Sequence, residues 1–217
     1  MSNELVCVNS ITSTMYNVSK MKSKLADAVT VVESDIRAQF AVAFKSLYRD
    51  GVVPDGFPNL SPPIDQVHLT SPEDLKRVYS GQGFYVILSD RPVDGNRCQL
   101  NHGTLRAIYR GECRTVRKRI QSHLFNAQYN ANYEERSFRY VADQKKTRSS
   151  FYEPHWPHCL KLDLDGPSGV DIDQAPHSDY KWFVLVHRMK DSSQRVRQLA
   201  ELAFDDVFGH PAGSRDT

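Results

Sequence analysis

Residues 109–124, YRGECRTVRKRIQSHL, change their hydrophobic period near the middle. Their first part completes the alternating segment at residues 104–111, and this alternation predicts a β-strand. From there on, Val116, Ile120 and Leu124 lie four apart, so they form one apolar stripe on an α-helix. The stretch therefore predicts a strand, a turn and a helix that packs back onto the strand.

Two further β-branched and aromatic runs extend this unit into a small sheet. They occupy residues 84–88 and 181–186, and each predicts a strand. The last helix is expected to begin at Ser192 or Ser193 and to end at Gly209. The order of elements predicts an α+β fold, in which a small antiparallel sheet is flanked by helices.

A long polar stretch at about residues 126–180 interrupts this order before the third core strand. It contains one predicted strand at residues 159–164. We interpret the stretch as an insertion within a domain that covers residues 63–217. A serine, a proline and two acids at residues 71–74 predict a short helix near the start of that domain.

The N-terminal part of the chain has a different pattern. Apolar residues recur every three or four positions from Val18 to Leu47, which predicts one long amphipathic helix. Gly51 and a proline-rich segment follow, so residues 1–62 are expected to form a helical extension and a linker. A helix of about 50 Å is longer than a small domain. It could pair with a second copy or another protein, or it could lie along the domain that follows.

The composition is that of a globular protein, with 40% hydrophobic and 25% charged residues and a formal net charge of only +2. The charge is unevenly distributed, because eleven arginines and lysines face four acids between Arg106 and Arg148. A solvated basic face and a track for nucleic acid both explain this pattern. The absence of an apolar signal segment and the scattered cysteines favour a cytoplasmic protein, and no apolar run approaches a membrane span.

Two short motifs carry a resemblance to a known family. Gly83-Phe84-Tyr85 and Tyr109-Arg110-Gly111 resemble the paired elements of the GIY-YIG nucleases, and residues 109–124 are similar to the family's strand, turn and helix. The resemblance covers about residues 81–215 and implies a GIY-YIG-like fold.

The resemblance also implies a set of site residues. Tyr85 and Tyr109 are the expected tyrosines, Arg119 the arginine, His123 the histidine one turn later, and Glu201 the ligand of Mg²⁺ or Mn²⁺. Two positions depart from the family pattern. Arg110 replaces an aliphatic residue, and Ser214 stands where asparagine is expected.

The chemistry of these residue types agrees with phosphodiester hydrolysis. Arg119 and His123 are four apart and share one edge of the helix stripe. An arginine fork suits phosphate oxygens, and a carboxylate such as Glu201 suits a hydrated divalent cation. A tyrosine base is unusual at a free pKa of about 10. Tyr85, the expected base, would need a nearby positive charge or a proton relay to His123.

Each candidate also has a structural explanation. The tyrosines could be ordinary strand aromatics, Arg119 could pair with an acid, Glu201 could pair with Arg197, and His123 could be a core histidine. The predicted nucleic-acid-binding residues could form only a solvated face. These residues are Arg110, Arg114, Arg117, Lys118, Lys145, Lys146 and Arg148.

The sequence as a whole therefore predicts a metal-dependent endonuclease that hydrolyses phosphodiester bonds in DNA, with a restriction or defence enzyme as one form. A nuclease toxin or effector whose long helix binds a partner is the alternative within the enzyme class. A catalytically silent nucleic-acid-binding module is the alternative outside it.

Overall fold

A computed structural model describes residues 4–57, 60–127, 162, 164 and 170–214, with side chains from Lys20 onward. The helices are α1 (Glu4–Leu47), α2 (Val116–Leu124) and α3 (Gln194–Phe208). The strands are β1 (Ile64–Leu69), β2 (Gly83–Ser89), β3 (Asn101–His102), β4 (Leu105–Cys113) and β5 (Trp182–Arg188). A short 3₁₀ helix at Pro72–Arg77 precedes β2.

The five strands form one antiparallel sheet in the order β1-β5-β2-β4-β3. Its central strand β2 pairs with both β4 and β5, so that Tyr85 lies between Gly111 and Val186. A bulge in β4 adds Ile108 between the residues opposite Ile87 and Leu88. The structure confirms the predicted α+β class, with an antiparallel sheet, flanking helices and a long N-terminal helix.

Two of the strands were not predicted. In β1 the buried positions alternate as expected for a strand, but the buried side chains include Asp65, which accepts hydrogen bonds from Arg188 and from the backbone of Tyr79. Because a charged residue occupies one of the buried positions, the sequence of β1 does not show the alternation of apolar and polar residues that predicts a strand. Strand β3 has only two residues, too few for any periodic signal.

The sheet separates two apolar layers. On one face α2 covers the sheet, with its stripe of Val116, Ile120 and Leu124 completely buried. On the other face α1 and α3 pack against residues such as Phe84 and Leu88. Side chains on β2 and β4 therefore point alternately toward α2 and toward α3, and this alternation determines which candidate residues can meet.

The end of α1 belongs to the second layer. Phe44 and Tyr48 are buried there, and Val53 joins them beyond the helix. Ion pairs from Arg37 to Asp206 and from Glu33 to Arg195 attach the preceding turns to α3. Residues on the N-terminal side of the expected boundary at residue 62 therefore contribute to the core.

The described part of the insertion returns to the end of α2. Ile172 donates a backbone hydrogen bond to Leu124, and Asn126 donates one to Val170. The strand expected at residues 159–164 lies outside the described residues, apart from Leu162 and Leu164. Ser193 caps α3 by accepting a hydrogen bond from the amide of Val196, as expected. None of the described helices contains a stretch long and apolar enough to cross a membrane.

Candidate active site

Two tyrosines from neighbouring strands lie side by side on the α2 face of the sheet. Tyr85 on β2 is opposite Gly111 on β4, and Tyr109 is opposite Ile87, so both side chains project from the same face. Their ring centroids are 6.0 Å apart. Tyr85 is fully buried, whereas Tyr109 keeps 9% of its surface exposed. Tyr109 is therefore the more accessible of the two.

Helix α2 brings two more candidates to these tyrosines. Arg119 and His123 lie one turn apart on the edge of the buried stripe. The hydroxyl of Tyr85 is 2.9 Å from Nε2 of His123, and the ring of Tyr109 is 4.5 Å from the His123 ring, measured between centroids. The structure thus brings together four of the five predicted catalytic residues. We call Tyr85, Tyr109, Arg119 and His123 the tyrosine cluster.

Arg119 gives the tyrosine cluster a fixed positive charge. Its guanidinium interacts with the hydroxyl groups of Tyr85 and Tyr109. Its Nε atom is buried and has no hydrogen-bond partner within the described residues. A buried donor without a partner is costly for the folded protein, and a charged arginine fork is well suited to phosphate oxygens. Phosphate oxygens would satisfy this donor if an anionic ligand reached it.

Burial controls the protonation of both tyrosines. It raises the pKa of Tyr85 well above its ordinary value, and Tyr109 adds to the shift while Arg119 opposes it. Burial also raises the pKa of Tyr109, again against the lowering effect of Arg119. Both hydroxyls therefore keep their protons at neutral pH. A tyrosine here can act as a base only if its own proton moves on, and His123 lies where it can accept that proton from Tyr85.

The two glycines of the motifs make room for this arrangement. A Cβ on Gly111 would lie 2.6 Å from the Tyr85 hydroxyl, and a Cβ on Gly83 would lie 2.6 Å from the backbone carbonyl of His187. Neither distance is possible without movement of the neighbouring atoms. Gly111 thus allows the buried hydroxyl of Tyr85 to reach His123, a role that the sequence alone did not reveal.

The substitution Gly111→Ala should displace the Tyr85 hydroxyl and reduce any activity of the tyrosine cluster. Because overpacking costs about 1–3 kcal/mol, we also expect lower stability toward urea. Gly56→Ala is the control, since no heavy atom lies near its Cβ position and its backbone is not left-handed. If Gly111→Ala retained wild-type stability and activity, the close approach of Tyr85 would have no functional importance.

The fifth predicted residue, Glu201, lies in a different layer. It is on α3 and 3% exposed, and its Oε1 accepts a hydrogen bond of 3.2 Å from Nη1 of Arg110. Burial raises the pKa of Glu201 to about 7, although Arg110 lowers it. Its charge contributes to the raised pKa of Tyr109, so the two residues interact electrostatically. The structural alternative that paired Glu201 with Arg197 does not hold, because Arg197 pairs with Glu112.

Arg110 requires a correction. The sequence placed it among the nucleic-acid-binding residues, but it is 3% exposed and points toward α3, because strand alternation sets it opposite to Tyr109. Its guanidinium donates to both carboxylate oxygens of Asp205, at 3.1 and 2.7 Å, as well as to Glu201. Arg110 therefore neutralises two acids inside the protein and is not free to bind phosphate.

Ser214 fixes the C-terminal segment to the edge of β4. Its hydroxyl oxygen accepts a hydrogen bond of 2.8 Å from the backbone amide of Arg110, and the amide of Gly213 donates to the carbonyl of Ile108. His210 joins the same region through a 2.9 Å contact between its Nδ1 and Asp205. Ser214, which replaces the expected asparagine, thus binds the backbone of the second motif through its side-chain hydroxyl.

The described residues do not fit a hydrated Mg²⁺ on Glu201. Such an ion needs an octahedral set of oxygen ligands, most of them water, and this carboxylate is buried and already paired with Arg110. Across the described parts of the chain, no three His, Cys, Asp or Glu side chains are grouped so that they could hold a metal ion. Mg²⁺ or Mn²⁺ on Glu201 therefore stays a prediction. The roles of the tyrosine cluster given below do not depend on a bound metal ion.

The other predicted basic residues fall into three groups. Arg114 and Lys118 are exposed. Arg117 is half-buried and donates to the carbonyls of Val78 and Lys76, so it holds the 3₁₀ helix in place. Lys145, Lys146 and Arg148 lie outside the described residues. Only the first group therefore presents free positive charge at a described surface.

Comparisons of this chain with protein-family models, with curated proteins and with solved structures found no match.

Proposed function

We propose that the protein is a nuclease of the GIY-YIG type and that the tyrosine cluster contains its phosphate-binding and proton-transfer groups. The observation that carries this proposal is the convergence of Tyr85, Tyr109, Arg119 and His123, in which the buried Nε atom of Arg119 has no partner among the described residues. Three secondary-structure elements supply these four residues. The same geometry would be unfavourable in an ordinary core, because it buries two tyrosine side chains with their hydroxyls and partly buries a charge.

Arg119 would bind the scissile phosphate. Its guanidinium interacts with Tyr109, the more exposed of the two tyrosines, and its Nε donor has no partner within the part of the chain that the structure describes. A fixed charge and a forked set of donors stabilise the additional negative charge that develops on the phosphate oxygens during attack by water. Positioning and charge stabilisation together account for most of the catalysis in such reactions.

The proton of the attacking water would pass along the tyrosine cluster. Tyr109 is the more exposed of the two tyrosines and interacts with Tyr85, which in turn contacts His123. If Tyr109 takes the proton from water while its own proton moves to Tyr85, and the proton of Tyr85 moves to His123, no free phenolate is required. This relay fits the raised pKa of both tyrosines. It also shifts the contact with water from Tyr85, the expected base, to Tyr109.

Nucleic acid is the substrate class that the charge distribution favours, with DNA as the predicted form. Arg114 and Lys118 are exposed at the start of the helix that supplies Arg119. Positive charge beside a phosphate-binding arginine attracts a polyanion more strongly than a small phosphodiester. A restriction, defence or toxin role would be compatible with this chemistry.

A catalytically silent nucleic-acid-binding module is the second candidate. Two observations favour it: Glu201 is paired with Arg110, and Tyr85 is completely buried. If the protein must rearrange before either residue can act, the arrangement described here would bind phosphate without cleaving it.

The test is incubation of pure protein with single-stranded and double-stranded DNA and RNA, in Mg²⁺, in Mn²⁺ and in chelator. We expect cleavage of DNA, and the comparison of Mg²⁺, Mn²⁺ and chelator tests the predicted metal separately from the tyrosine cluster. If the protein binds DNA but cleaves none of the substrates in Mg²⁺, Mn²⁺ or chelator, the result would support the silent module. Cleavage that persists in chelator would remove the metal from the proposal and leave the tyrosine cluster. Neither binding nor cleavage would contradict both functions.

A further inference from the structure

Residues 20–32 of α1 extend away from the packed part of the fold. Every residue from 20 to 32 is exposed, whereas the helix becomes partly buried at Glu33, where it meets Arg195 near the start of α3. The exposed part extends for about 20 Å. Isolated helices of this length are marginal in water, and most helical stability in proteins comes from packing of an apolar face. This part of α1 has no such packing within the described residues.

An apolar stripe runs along the projecting part. Met21, Leu25, Val29 and Val32 are 56–59% exposed, and Ile36 continues the stripe toward the packed end. Spacings of three and four residues keep these side chains on one side of the helix. Single exposed apolar residues need no explanation, but a continuous row on one face indicates an interaction surface.

The charges beside the stripe identify the partner. At about 100° per residue, Lys24 and Asp35 lie along one flank of the stripe, and Lys22 and Glu33 lie along the other. Glu33 is already paired with Arg195 of α3 within the protomer, so the flank with Lys24 and Asp35 is the one that can pair with a second copy. In an antiparallel pair related by a twofold axis, each flank meets the same flank of the partner in reverse order. Lys24 of one copy would then face Asp35 of the other, and the two symmetric pairs would be centred between Val29 and Thr30. A parallel pair would instead set like charges against each other.

We propose that residues 20–36 of α1 form a self-association surface, which pairs antiparallel with the same segment of a second copy. The apolar stripe supplies the attraction, since burial of exposed leucine, methionine and valine side chains is favourable. Lys24 and Asp35 select the antiparallel orientation, as the charged positions beside a coiled-coil seam do. The proposal does not depend on nuclease activity.

The first test measures the mass of the full chain by light scattering during gel filtration. We expect the wild type to be a dimer. The measurement is made at about 50 µM, since association depends on protein concentration. Leu25→Asp and Val29→Asp should each yield a monomer with unchanged circular dichroism of the folded domain, since neither side chain packs within the protomer. Val42→Asp is the control: Val42 is 69% exposed on α1 outside the stripe segment, and its substitution should leave the dimer intact.

The second test determines the orientation. At low salt, Lys24→Asp and Asp35→Lys should each weaken dimerisation about tenfold, and the double variant should restore it, because the two positions face each other across the antiparallel pair. In a parallel pair neither single change would weaken association, since like charges already face each other there. A monomeric wild type, or an unchanged dimer in Leu25→Asp, would overturn the proposal of self-association. If neither Lys24→Asp nor Asp35→Lys alone weakened dimerisation, the proposed antiparallel orientation would be wrong.

Discussion

Arg119→Lys should reduce DNA cleavage by about 100- to 1000-fold while the protein remains folded. Lysine keeps the charge but has a single point of contact, so it cannot reproduce the forked donors that the proposal assigns to phosphate. Removal of one donor from a site that stabilises developing charge commonly has an effect of this size. The measurement is the initial rate of cleavage of a defined duplex, together with the thermal unfolding midpoint of each protein.

The matched control is Arg77→Lys. Arg77 is an exposed residue of the 3₁₀ helix, and its distance to the carboxylate of Asp74 is 3.7 Å. The same substitution there should change neither the rate nor the unfolding midpoint. An Arg119→Lys protein that cleaves within about tenfold of wild type, or about 1.4 kcal/mol of barrier, would assign Arg119 to the structure and not to phosphate.

Arg110→Met should destabilise the folded protein by about 3–5 kcal/mol at pH 8 or so. The substitution keeps an apolar stem but leaves Glu201 and Asp205 close together without their shared cation, and a broken buried ion pair has a cost in this range. Urea unfolding followed by circular dichroism gives the value. Arg37→Met is the control, because its ion pair with Asp206 is about half exposed and should contribute less than about 1 kcal/mol.

The difference between wild type and Arg110→Met should grow with pH. The pKa of Glu201 is raised in the folded protein from 4.5 to about 7, so the folded state holds a proton that the unfolded state releases in this interval. Stability therefore falls as pH rises through this interval. Without Arg110 the pKa of Glu201 rises further, and the fall continues above pH 7. Equal differences at about pH 6 and pH 8 would contradict this assignment.

The sequence predicts well those features that depend on local periodicity. The strands at β2, β4 and β5 and the two helices α2 and α3 all follow from runs of apolar residues at fixed spacing. The pairing of Tyr85 and Tyr109 with the edge of α2 follows from the same pattern, because a helix that packs on a strand brings one edge of its stripe to the neighbouring side chains.

Features that depend on distant contacts could not be predicted in the same way. The charge of Arg110 indicates a nucleic-acid-binding residue, but the direction of its side chain does not. Because side chains alternate along a strand, Arg110 points toward α3 when Tyr109 faces α2. The partner of Glu201 is separated from it by 91 positions. The contribution of Phe44 and Tyr48 to the core was hidden, since a stripe on a long helix does not show which part of it is covered.

A comparison of two tyrosine variants tests most directly whether the tyrosine cluster is catalytic. Tyr85→Phe removes a buried hydroxyl 2.9 Å from His123 on the α2 face, and Tyr48→Phe removes a buried hydroxyl 2.7 Å from His187 on the opposite face. Burial lowers the pKa of His187 to about 4, so that ring stays neutral and does not take up a further proton near pH 7.

The measurement is the DNA cleavage rate of both variants at equal folded concentration. Tyr85→Phe should cleave at least about 100-fold more slowly than wild type, because it interrupts the proton relay, whereas Tyr48→Phe should retain the wild-type rate within about threefold. Equal rates in the two variants, whether both normal or both reduced, would contradict a catalytic role for the tyrosine cluster.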